Sequence, residues 1–465
     1  MISKSCLLLL ISLVALTLMS WLFQNFTDEH KIEPQMRKWS RPIGLVRPPA
    51  PCVCPAKSLV LEEKIPSAQR AAILDRRTKE YKKHQARTRS SLNTLLFAPS
   101  NSPLQYPIQG FTVPPMATTL IPGTVLLSTL GVSLNVTRGV LSLTEAGEAD
   151  EAGGGTNLVT LETQSLEELN NLLAWVTYTS TMYHINTVDL VHFMFEHHKA
   201  VFPVLIRQPT LPVLYDMGTD INEHVTVTTK TFMRYKELKV LISSLRRFYK
   251  NMTLIVADDS FKPESIAEDH VLQYIMPGGQ GWFAGRNLAI SQVTTKYFLW
   301  VDDDFLFTDH TKIEDLVEVM EAIPELDVVG GSVEGNQFFF SIIYEEGDGV
   351  AGGCLYRKSK GKFQSLPNYP QCNIVNGVVN FFLGRTDAVS RVGFDPKLKR
   401  VAHSEFFMDG LGRLMIASCG HVSIGHQKKA ANAEYQRFRN PGASDSEYKE
   451  RLHYYKNHLK CIRYG

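Results

Sequence analysis

The sequence has no long block of like charge, and its charges nearly cancel. It contains 49 Lys and Arg against 47 Asp and Glu, for a net charge of +2 over 465 residues. Most nucleic-acid-binding proteins hold phosphates with a basic face or tail, so this balance argues against a nucleic acid as partner. The 44% content of hydrophobic residues is typical of globular domains, and the length beyond residue 98 is enough for two of them.

Two binding motifs are also missing. No Gly-x-Gly-x-x-Gly follows residues 224–228, the first predicted strand of the C-terminal half, which argues against a nicotinamide dinucleotide. The short pair Cys52 and Cys54 has no second short Cys/His pair to complete a zinc site, so zinc binding is the weaker interpretation of these two residues.

Disulfide chemistry is the stronger interpretation of the cysteines. Of the seven present, all but Cys6 lie beyond the apolar N-terminus: Cys52, Cys54, Cys354, Cys372, Cys419 and Cys461. An even number fits a disulfide set formed in the secretory pathway. Cys52 and Cys54 are too close in sequence to pair comfortably with each other, so they must reach a distant part of this chain or another chain.

The N-terminus is uncharged over residues 5–27, and residues 6–23 are rich in Leu, Ile and Val. About 20 such residues span a bilayer as a helix. A cleavable signal peptide has a shorter apolar core, whereas this one runs into Trp21-Leu22-Phe23, as an interfacial anchor does. We expect a cytoplasmic tail (1–5), a signal anchor (6–24) and an extended lumenal stem (25–98) with a basic linking helix near 67–96.

The rest of the chain divides into two halves with different patterns. Residues 99–218 carry short Val/Thr/Leu runs between turn residues, which predicts a β-rich accessory domain, a small sandwich. Residues 219–465 alternate strands and helices, which predicts an α/β domain, doubly wound and of Rossmann type. The predicted strands of this second half are 224–228, 253–257, 297–301, 327–329, 378–382 and 422–424, and its first helices are 235–248 and 283–293.

The most informative stretch is the run YFLWVDDDF at residues 297–305. An uncharged strand of this kind is easily buried within a parallel sheet, and here it ends in three carboxylates. Asp302 and Asp304 lie two residues apart, so in extended chain they point the same way at the edge where α/β sheets bind ligands. Two carboxylates there repel each other unless a cation lies between them. The run therefore predicts a divalent ion that holds a diphosphate.

A second acidic strand end and a glycine-rich loop support this interpretation. Asp258 and Asp259 follow the predicted strand 253–257, where a carboxylate can accept hydrogen bonds from a ribose or a base. The loop PGGQGWFAGRN at 277–287 leads into a helix, so its N–H groups and Arg286 can approach a phosphate. Together these features predict a nucleotide-diphosphate site.

Three further residues are candidates for the chemistry. Glu405 and Asp409 lie four residues apart, on one face if the stretch is helical, and their aromatic neighbours predict a partly buried carboxylate that can act as a base. Surface decoration or a helix cap is the alternative. His426 follows the predicted strand 422–424 and is a candidate for a further metal ligand at the same sheet edge.

These residues resemble the inverting nucleotide-sugar glycosyltransferases of the GT-A fold. More closely, they resemble the animal β-1,4-N-acetylgalactosaminyltransferases, which add GalNAc to sialylated galactose on gangliosides or on glycans of the Sda/Cad type. The matching segments are NSPLQYP (101–107), GWFAGRNLA (281–289), SQVTTKY (291–297), LWVDDDF (299–305) and RVAHSEFF (400–407). The resemblance implies a GT-A catalytic domain (219–465) behind the accessory domain, and a single-pass type II location in the Golgi membrane.

The resemblance also implies roles for the predicted site residues. Asp302 and Asp304 match the family's Asp-x-Asp and would bind Mn²⁺ with the diphosphate of UDP, and His426 would be the later metal ligand. The residues implied to hold uridine or phosphate are Asp259, Arg286 and Asn287.

The implied reaction is a direct displacement with inversion. Glu405 would remove the proton from a galactose 4-hydroxyl, which attacks the anomeric carbon of UDP-GalNAc. Asp409 is its rival, because the family's usual Glu-Asp doublet is absent. Mn²⁺ would stabilise the departing UDP. The residues that could contact the sialic acid of the acceptor are Lys399, Arg400 and Arg413.

Two other functions fit the residues less well. A catalytically silent glycan- or nucleotide-sugar-binding protein would be expected to have lost a member of the Asp302, Asp304, Glu405 and His426 set, which is intact. A metal-dependent phosphohydrolase would need a second metal cluster, and no further Asp/His group supplies one. Family likeness also implies that Cys52 and Cys54 bridge to a second chain, which would make a disulfide-linked homodimer.

Overall fold

The structure of the protein is a computed structural model. It describes residues 51–88, 103–399, 403–428 and 443–465, with gaps at 129, 145–154, 217 and 348, together with positions 435 and 438. The predicted tail and signal anchor, and Arg400, lie outside these residues. Within the described ranges, no helix is both long enough and apolar enough to cross a membrane.

The first described segment is folded against the end of the chain. It forms strand β1 (Leu59–Val60), a 3₁₀ turn (Leu61–Lys64) and helix α1 (Ser67–Thr88). Arg77 of α1 lies 4.1 Å from the ring centroid of Tyr454 and donates a hydrogen bond to the carbonyl of Ala351 at 3.0 Å. The basic helix predicted near 67–96 is thus present as α1, but it packs against the C-terminal half instead of linking through solvent.

Cys52 and Cys54 also have their partners within the chain. Disulfides join Cys52 to Cys354 and Cys54 to Cys461. The strand register explains this pairing, since Cys354 lies opposite Cys461 on neighbouring strands and Cys461 lies opposite Val60 of β1. The structure thus corrects the expectation that these two cysteines bridge to a second chain.

The accessory domain has two sheets around a common core. Its strands are β2 (Leu104–Gln105), β3 (Phe111–Val113), β4 (Thr118–Leu120), β5 (Val125–Leu126), β6 (Gly131–Asn135), β7 (Gly139–Leu143), β8 (Leu158–Glu162), β9 (Val176–Ser180), β10 (Asn186–Phe195) and β11 (His198–Arg207), and α2 (Leu166–Ala174) precedes β9. The sheet β3-β11-β10-β6-β8 and the sheet β4-β9-β7 both contribute to one apolar core, as in the predicted sandwich.

The C-terminal half is organised by a ten-stranded mixed sheet. Its helices are α3 (Ile221–His224), α4 (Tyr235–Phe248), α5 (Trp282–Ser291), α6 (Ile313–Ala322), α7 (Thr386–Val392), α8 (His403–Asp409) and α9 (Ala443–Lys456). Its strands are β12 (Val225–Thr231), β13 (Leu254–Asp258), β14 (Val271–Ile275), β15 (Tyr297–Trp300), β16 (Phe305–Leu306), β17 (Val328–Val333), β18 (Phe339–Glu345), β19 (Gly353–Lys358), β20 (Gln364–Leu366), β21 (Tyr369–Val375), β22 (Gly377–Val378), β23 (Phe382–Arg385), β24 (Ile416–His426) and β25 (Leu459–Tyr464).

The order of this sheet is β14-β13-β12-β15-β23-β17-β24-β21-β20, with β16 added to β24. Its first four strands are parallel, so β12, β13 and β15 bring their carboxyl ends to one edge. Strand β23 is antiparallel to both of its neighbours, which makes the sheet mixed rather than fully doubly wound. A second sheet, β1-β25-β19-β18-β22, holds the N-terminal segment.

Helices cover both faces of the large sheet, as the alternation of strands and helices predicts. Leu254 and Val256 of β13 share a core with α4 and α6, whereas Ile255 and Ala257 of the same strand pack with α5, α7 and α8. A strand that is apolar on both faces needs this two-sided cover.

One predicted strand is broken. Residues 378–382 were expected to run straight, but the chain leaves β22 at Val378 and starts β23 at Phe382. Val378 pairs with Phe339 of β18 in the second sheet, while Phe382 pairs with Trp300 in the first. The break between the two sheets turns Asn380 toward the carboxyl ends of the parallel strands, where it lines a cavity.

Candidate active site

A cavity of about 570 Å³ lies at the carboxyl ends of β12, β13 and β15. Its charged and polar lining residues are Lys230, Arg234, Asp259, Asp302, Asp303, Asp304, Asn380, Lys399, His426 and Asp445, and its aromatic ones are Phe232, Phe261, Trp282, Tyr435 and Phe438. This is the edge at which open α/β sheets bind ligands. Two acidic strand ends that the sequence analysis selected therefore meet in one cavity.

The acidic run begins directly after a fully buried strand. All four residues of β15 are buried, and Phe305 immediately after the run is buried as well. The three carboxylates are thus fixed at both ends by core residues. Arg234 lies across two of them, with Nη1 at 2.8 Å from Asp303 Oδ1 and Nη2 at 2.6 Å from Asp304 Oδ2.

His426 reaches the same carboxylate from another part of the sheet. Its Nε2 lies 3.2 Å from Asp304 Oδ2. Strand β16 causes this approach, because Phe305 pairs directly with His426 and the N–H of Gln427 donates to the carbonyl of Asp304 at 2.8 Å. The Nδ1–H of His426 donates to the carbonyl of Gln427 at 2.6 Å, which leaves Nε2 as the ring nitrogen with a free lone pair.

The donor atoms of this corner fit a divalent cation. Asp302, Asp304 and His426 all line this cavity, and carboxylate oxygen with imidazole nitrogen is a ligand set that suits Mn²⁺ or a similar ion. Burial raises the pKa of Asp302 to about 6, although the charge of Arg286 opposes this, and burial likewise raises the pKa of Asp303 to about 7. Both shifts arise chiefly from desolvation of the buried carboxylates, and the nearby charge of Asp304 adds to them.

Arg286 lies behind the acidic run rather than on the cavity wall. It is 1% exposed and is held between the rings of Trp282 and Trp300, each 4.3 Å away. Its Nη2 donates to Asn380 Oδ1 at 2.9 Å, and Asn380 Nδ2 donates to Asp302 Oδ2 at 3.3 Å. Its predicted contact with uridine or phosphate stays a prediction, and the structure connects it instead to Asp302 through Asn380.

Asp259 does line the cavity, as its predicted role in donor binding requires. Its Oδ1 lies 2.5 Å from Lys230 Nζ, and its Oδ2 accepts a hydrogen bond of 2.8 Å from the N–H of Gly281. Gly281 has φ +97°, and a Cβ there would lie 3.1 Å from the Cα of Lys399, so the glycine is required for this loop conformation. The loop, the strand end and Lys399 are thereby held together.

Asn287 is turned away from the cavity. Its side-chain amide donates to the carbonyl of Phe394 and accepts a 2.9 Å hydrogen bond from the N–H of the same residue. Both ends of the amide are occupied by the loop after α7. The structure therefore gives Asn287 a role in holding that loop, and its predicted contact with the donor stays a prediction.

The two predicted bases lie on α8 and do not line the cavity. Glu405 is 2% exposed, and its Oε1 lies 2.6 Å from Lys449 Nζ and 3.4 Å from His453 Nε2. Burial raises the pKa of Glu405, but its hydrogen bond with His453 and the charge of Lys449 outweigh burial and lower it. Asp409 Oδ2 lies 2.8 Å from Lys456 Nζ. Both carboxylates face α9, so the structure separates them from Asp302, Asp304 and His426.

Several lining residues were missed by sequence reasoning. The sequence held a signal for two of them: Lys230 lies near the end of strand β12, and Arg234 follows that strand. The carboxyl end of β12 lies beside those of β13 and β15. Asn380 and Asp445 had none, since the break of a strand and the approach of a C-terminal helix are tertiary events. Of the cations predicted to contact an acceptor, Lys399 lines the cavity and Arg413 does not.

Comparison with known proteins supplies the wider context. Residues 226–393 match the family described as Glycosyl transferase family 2. The chain is 45% identical over 430 residues to β-1,4 N-acetylgalactosaminyltransferase 2 of Mus musculus, covering 88% of this chain and 84% of that protein. It is 43% identical over 443 residues to β-1,4 N-acetylgalactosaminyltransferase 1 of Homo sapiens, covering 89% of this chain and 83% of that protein.

Solved structures resemble this chain only remotely. That of S. aureus TarS 1–349 in complex with UDP-GlcNAc is 15% identical with a TM-score of 0.35, and covers 49% of this chain and 64% of that one. A likeness at this level carries no conclusion about the chain.

Proposed function

The chain belongs to the β-1,4 N-acetylgalactosaminyltransferases, and from this premise we propose how its cavity binds the substrates. It is a glycosyltransferase of the GT-A fold that transfers N-acetylgalactosamine. The donor we propose is UDP-GalNAc, and the acceptor is the 4-hydroxyl of a galactose that carries sialic acid, on a glycolipid or a glycoprotein. A silent sugar-binding protein is not favoured, because the relatives are named for transfer.

We propose that Asp302, Asp304 and His426 hold Mn²⁺. The 3.2 Å approach of His426 Nε2 to Asp304 Oδ2 is the observation that carries this assignment. When bound, the ion supplies positive charge that stabilises the diphosphate of the departing UDP. Arg234 contacts both Asp303 and Asp304 and so fixes the orientation of the Asp304 carboxylate. The hydrogen bond from Asn380 fixes the orientation of the Asp302 carboxylate.

The nucleotide is proposed to lie along the ends of β12 and β13. Asp259 accepts hydrogen bonds there, and the rings of Phe232 and Phe261, whose centroids are 5.5 Å apart, offer an apolar surface for a base. Lys399 on the same wall supplies positive charge for the carboxylate of a sialylated acceptor.

We propose a Golgi membrane location, with the catalytic domain lumenal and residues 6–24 as the anchor. The support is chemical: all six cysteines beyond Cys6 are paired in disulfides, the third joining Cys372 to Cys419. Such bonds persist in the oxidising lumen and are rare in the cytosol.

The test uses the purified full chain with UDP-GalNAc, Mn²⁺ and a sialyl-galactose acceptor. EDTA should abolish transfer, and Asp304→Asn should lower kcat about 100-fold or more, since several kcal/mol of charge stabilisation is lost. Mn²⁺ titration followed by electron paramagnetic resonance should show weaker binding in the same variant. Asp309→Asn is the matched control, because Asp309 is exposed and lies outside the cavity.

Two outcomes would contradict the proposal. Transfer that survives EDTA and Asp304→Asn would remove the metal assignment. Binding of UDP without transfer to either a ganglioside or a glycoprotein acceptor would point to the silent binder instead.

A further inference from the structure

We propose that Asp445 is the general base that takes the proton from the acceptor hydroxyl. This inference rests on the proposed function. It gives a catalytic role to a residue of the same cavity that the sequence motifs do not indicate. Asp445 lies in the first turn of α9 and is half-buried. It lines the cavity that Asp304, His426 and Lys399 also line.

The other carboxylates of the cavity are already engaged. Asp303 and Asp304 are held by Arg234, and Asp259 by Lys230 and a backbone N–H. Asp302 accepts hydrogen bonds from Trp300 and Asn380. Among the described residues, none forms a hydrogen bond or ion pair with Asp445. A general base needs a carboxylate oxygen within reach of the substrate proton, and Asp445 is the lining carboxylate that no described residue engages.

The contacts of α8 explain why Asp445 faces the cavity. Glu405 binds Lys449 at 2.6 Å and His453 at 3.4 Å, so it fixes one face of α9. Asp445 lies one turn before Lys449, which places it about 6 Å further along the helix axis and about 40° around it. The face of α9 that contacts Glu405 through Lys449 therefore extends toward the helix start, where Asp445 lines the cavity.

Asp409 fixes the other end of the same helix. Its Oδ2 binds Lys456 Nζ at 2.8 Å, and its Oδ1 accepts a hydrogen bond from Asn457 at 3.4 Å. The two carboxylates that sequence reasoning selected as bases are thus both helix anchors in the structure. Neither lines the cavity, and each holds in place the helix that presents Asp445.

In the proposed step, the acceptor O–H bond breaks and its proton moves to a carboxylate oxygen of Asp445. The oxygen forms the new bond to the anomeric carbon, while the bond from that carbon to the β-phosphate oxygen breaks and its electron pair leaves with UDP. Asp445 then returns the proton to water.

The experiment compares Asp445→Asn with Glu447→Gln in the full chain. Glu447 is a carboxylate on the same helix, exposed and outside the cavity, so it is the matched control. Asp445→Asn should lower kcat about 10²- to 10⁴-fold, as loss of a general base does. The affinity for UDP with Mn²⁺ should stay within about threefold, because the nucleotide and metal ligands are intact. Glu447→Gln should retain the wild-type rate.

A second variant separates lost chemistry from lost structure. Sodium formate should restore part of the rate of Asp445→Ala, because a small carboxylate can occupy the space of the missing side chain. Glu405→Gln should lower the melting temperature, because Glu405 anchors α9. Formate should not restore any transfer rate that this variant loses.

The assignment is overturned if Asp445→Asn transfers within about threefold of wild type. It is also overturned if Glu405→Gln or Asp409→Asn loses transfer at unchanged melting temperature while Asp445→Asn does not, or if formate leaves Asp445→Ala inactive. A wild-type protein that neither binds UDP with Mn²⁺ nor transfers GalNAc would instead defeat the proposed function, so the two failures are distinguishable.

Discussion

At the scale of single residues, two arginines stabilise the acidic run from opposite sides. Arg234 contacts Asp303 and Asp304 on the cavity wall, and Arg286 lies behind Asp302 and reaches it through Asn380. Burial lowers the pKa of Arg286 to about 9, so its charge is retained at neutral pH. Three consecutive carboxylates, two of them buried and Asp302 partly so, can lie together because each is near positive charge or a hydrogen-bond donor.

Protonation of His403 should make the free energy of unfolding depend on pH. Its Nε2–H donates to the carbonyl of Val378 at 2.7 Å, and burial, together with the charge of Arg286, lowers its pKa to about 4. The unfolded chain binds this proton near pH 6.5, so between about pH 6.5 and 4 the unfolded state holds more protons and stability falls as the pH falls.

We expect His403 to make the free energy of unfolding about 2 kcal/mol smaller at pH 5 than at pH 7.5. Urea denaturation at both values measures this in the wild type and in His403→Gln, whose amide can still donate a hydrogen bond to Val378. Asp302 and Asp303 contribute with the opposite sign in both proteins, because burial raises their pKa values, and therefore cancel in the difference. An equal pH dependence in the two proteins would show that His403 does not remain neutral.

At the scale of elements, β24 is the strand that assembles the site. It runs over 11 residues and pairs with β17, β21 and finally β16. Cys419 in its first half pairs directly with Cys372 of β21, and the two form a disulfide. His426 at its far end meets Asp304. The position of this proposed metal ligand therefore depends on a strand that a covalent bond fixes to its neighbour.

Removing this bond should destabilise the protein by up to about 4 kcal/mol, because a loop of 47 residues then gains freedom in the unfolded chain. Chemical denaturation of the Cys372→Ala, Cys419→Ala double variant measures the loss. Cys6→Ala is the control, since Cys6 belongs to no described disulfide. An unchanged midpoint in the double variant would mean that strand pairing alone holds β24 in place.

At the scale of the whole molecule, residues 51–88 close onto the C-terminus. β1 pairs with β25, and the disulfides of Cys52 and Cys54 span 302 and 407 residues. Tyr81 of α1 stacks on His458 with ring centroids 3.9 Å apart. Residues 51–88 are therefore part of the same folded body as the C-terminal strand β25.

Non-reducing electrophoresis of the full chain should show the monomer, and peptide mapping should recover Cys52 joined to Cys354 and Cys54 joined to Cys461. The physical reason is the register that brings these sulfurs together within one chain. A species of twice the mass that disappears on reduction would show instead that the same cysteines pair between two chains.

The sequence predicted most where the signal is local. The helix expected at 235–248 is α4 with the same bounds, and the strand at 297–301 is β15 to within one residue. The helix has strong apolar periodicity and the strand is a continuous apolar run, and both signals depend on neighbours a few residues apart. The predicted strand at 378–382 failed because its two halves belong to different sheets, and no local pattern records that.

By itself, the sequence determined the alternating architecture, the acidic strand end and the family of the enzyme, because each is written in short contiguous runs. Only the tertiary structure decided which side chains meet. It placed His426 beside Asp304 and put Asn380 between Arg286 and Asp302. It also turned Glu405 toward Lys449 rather than toward the cavity. These contacts join residues that are 44 to 122 positions apart, and their geometry follows from sheet register and helix packing, which no local spacing encodes.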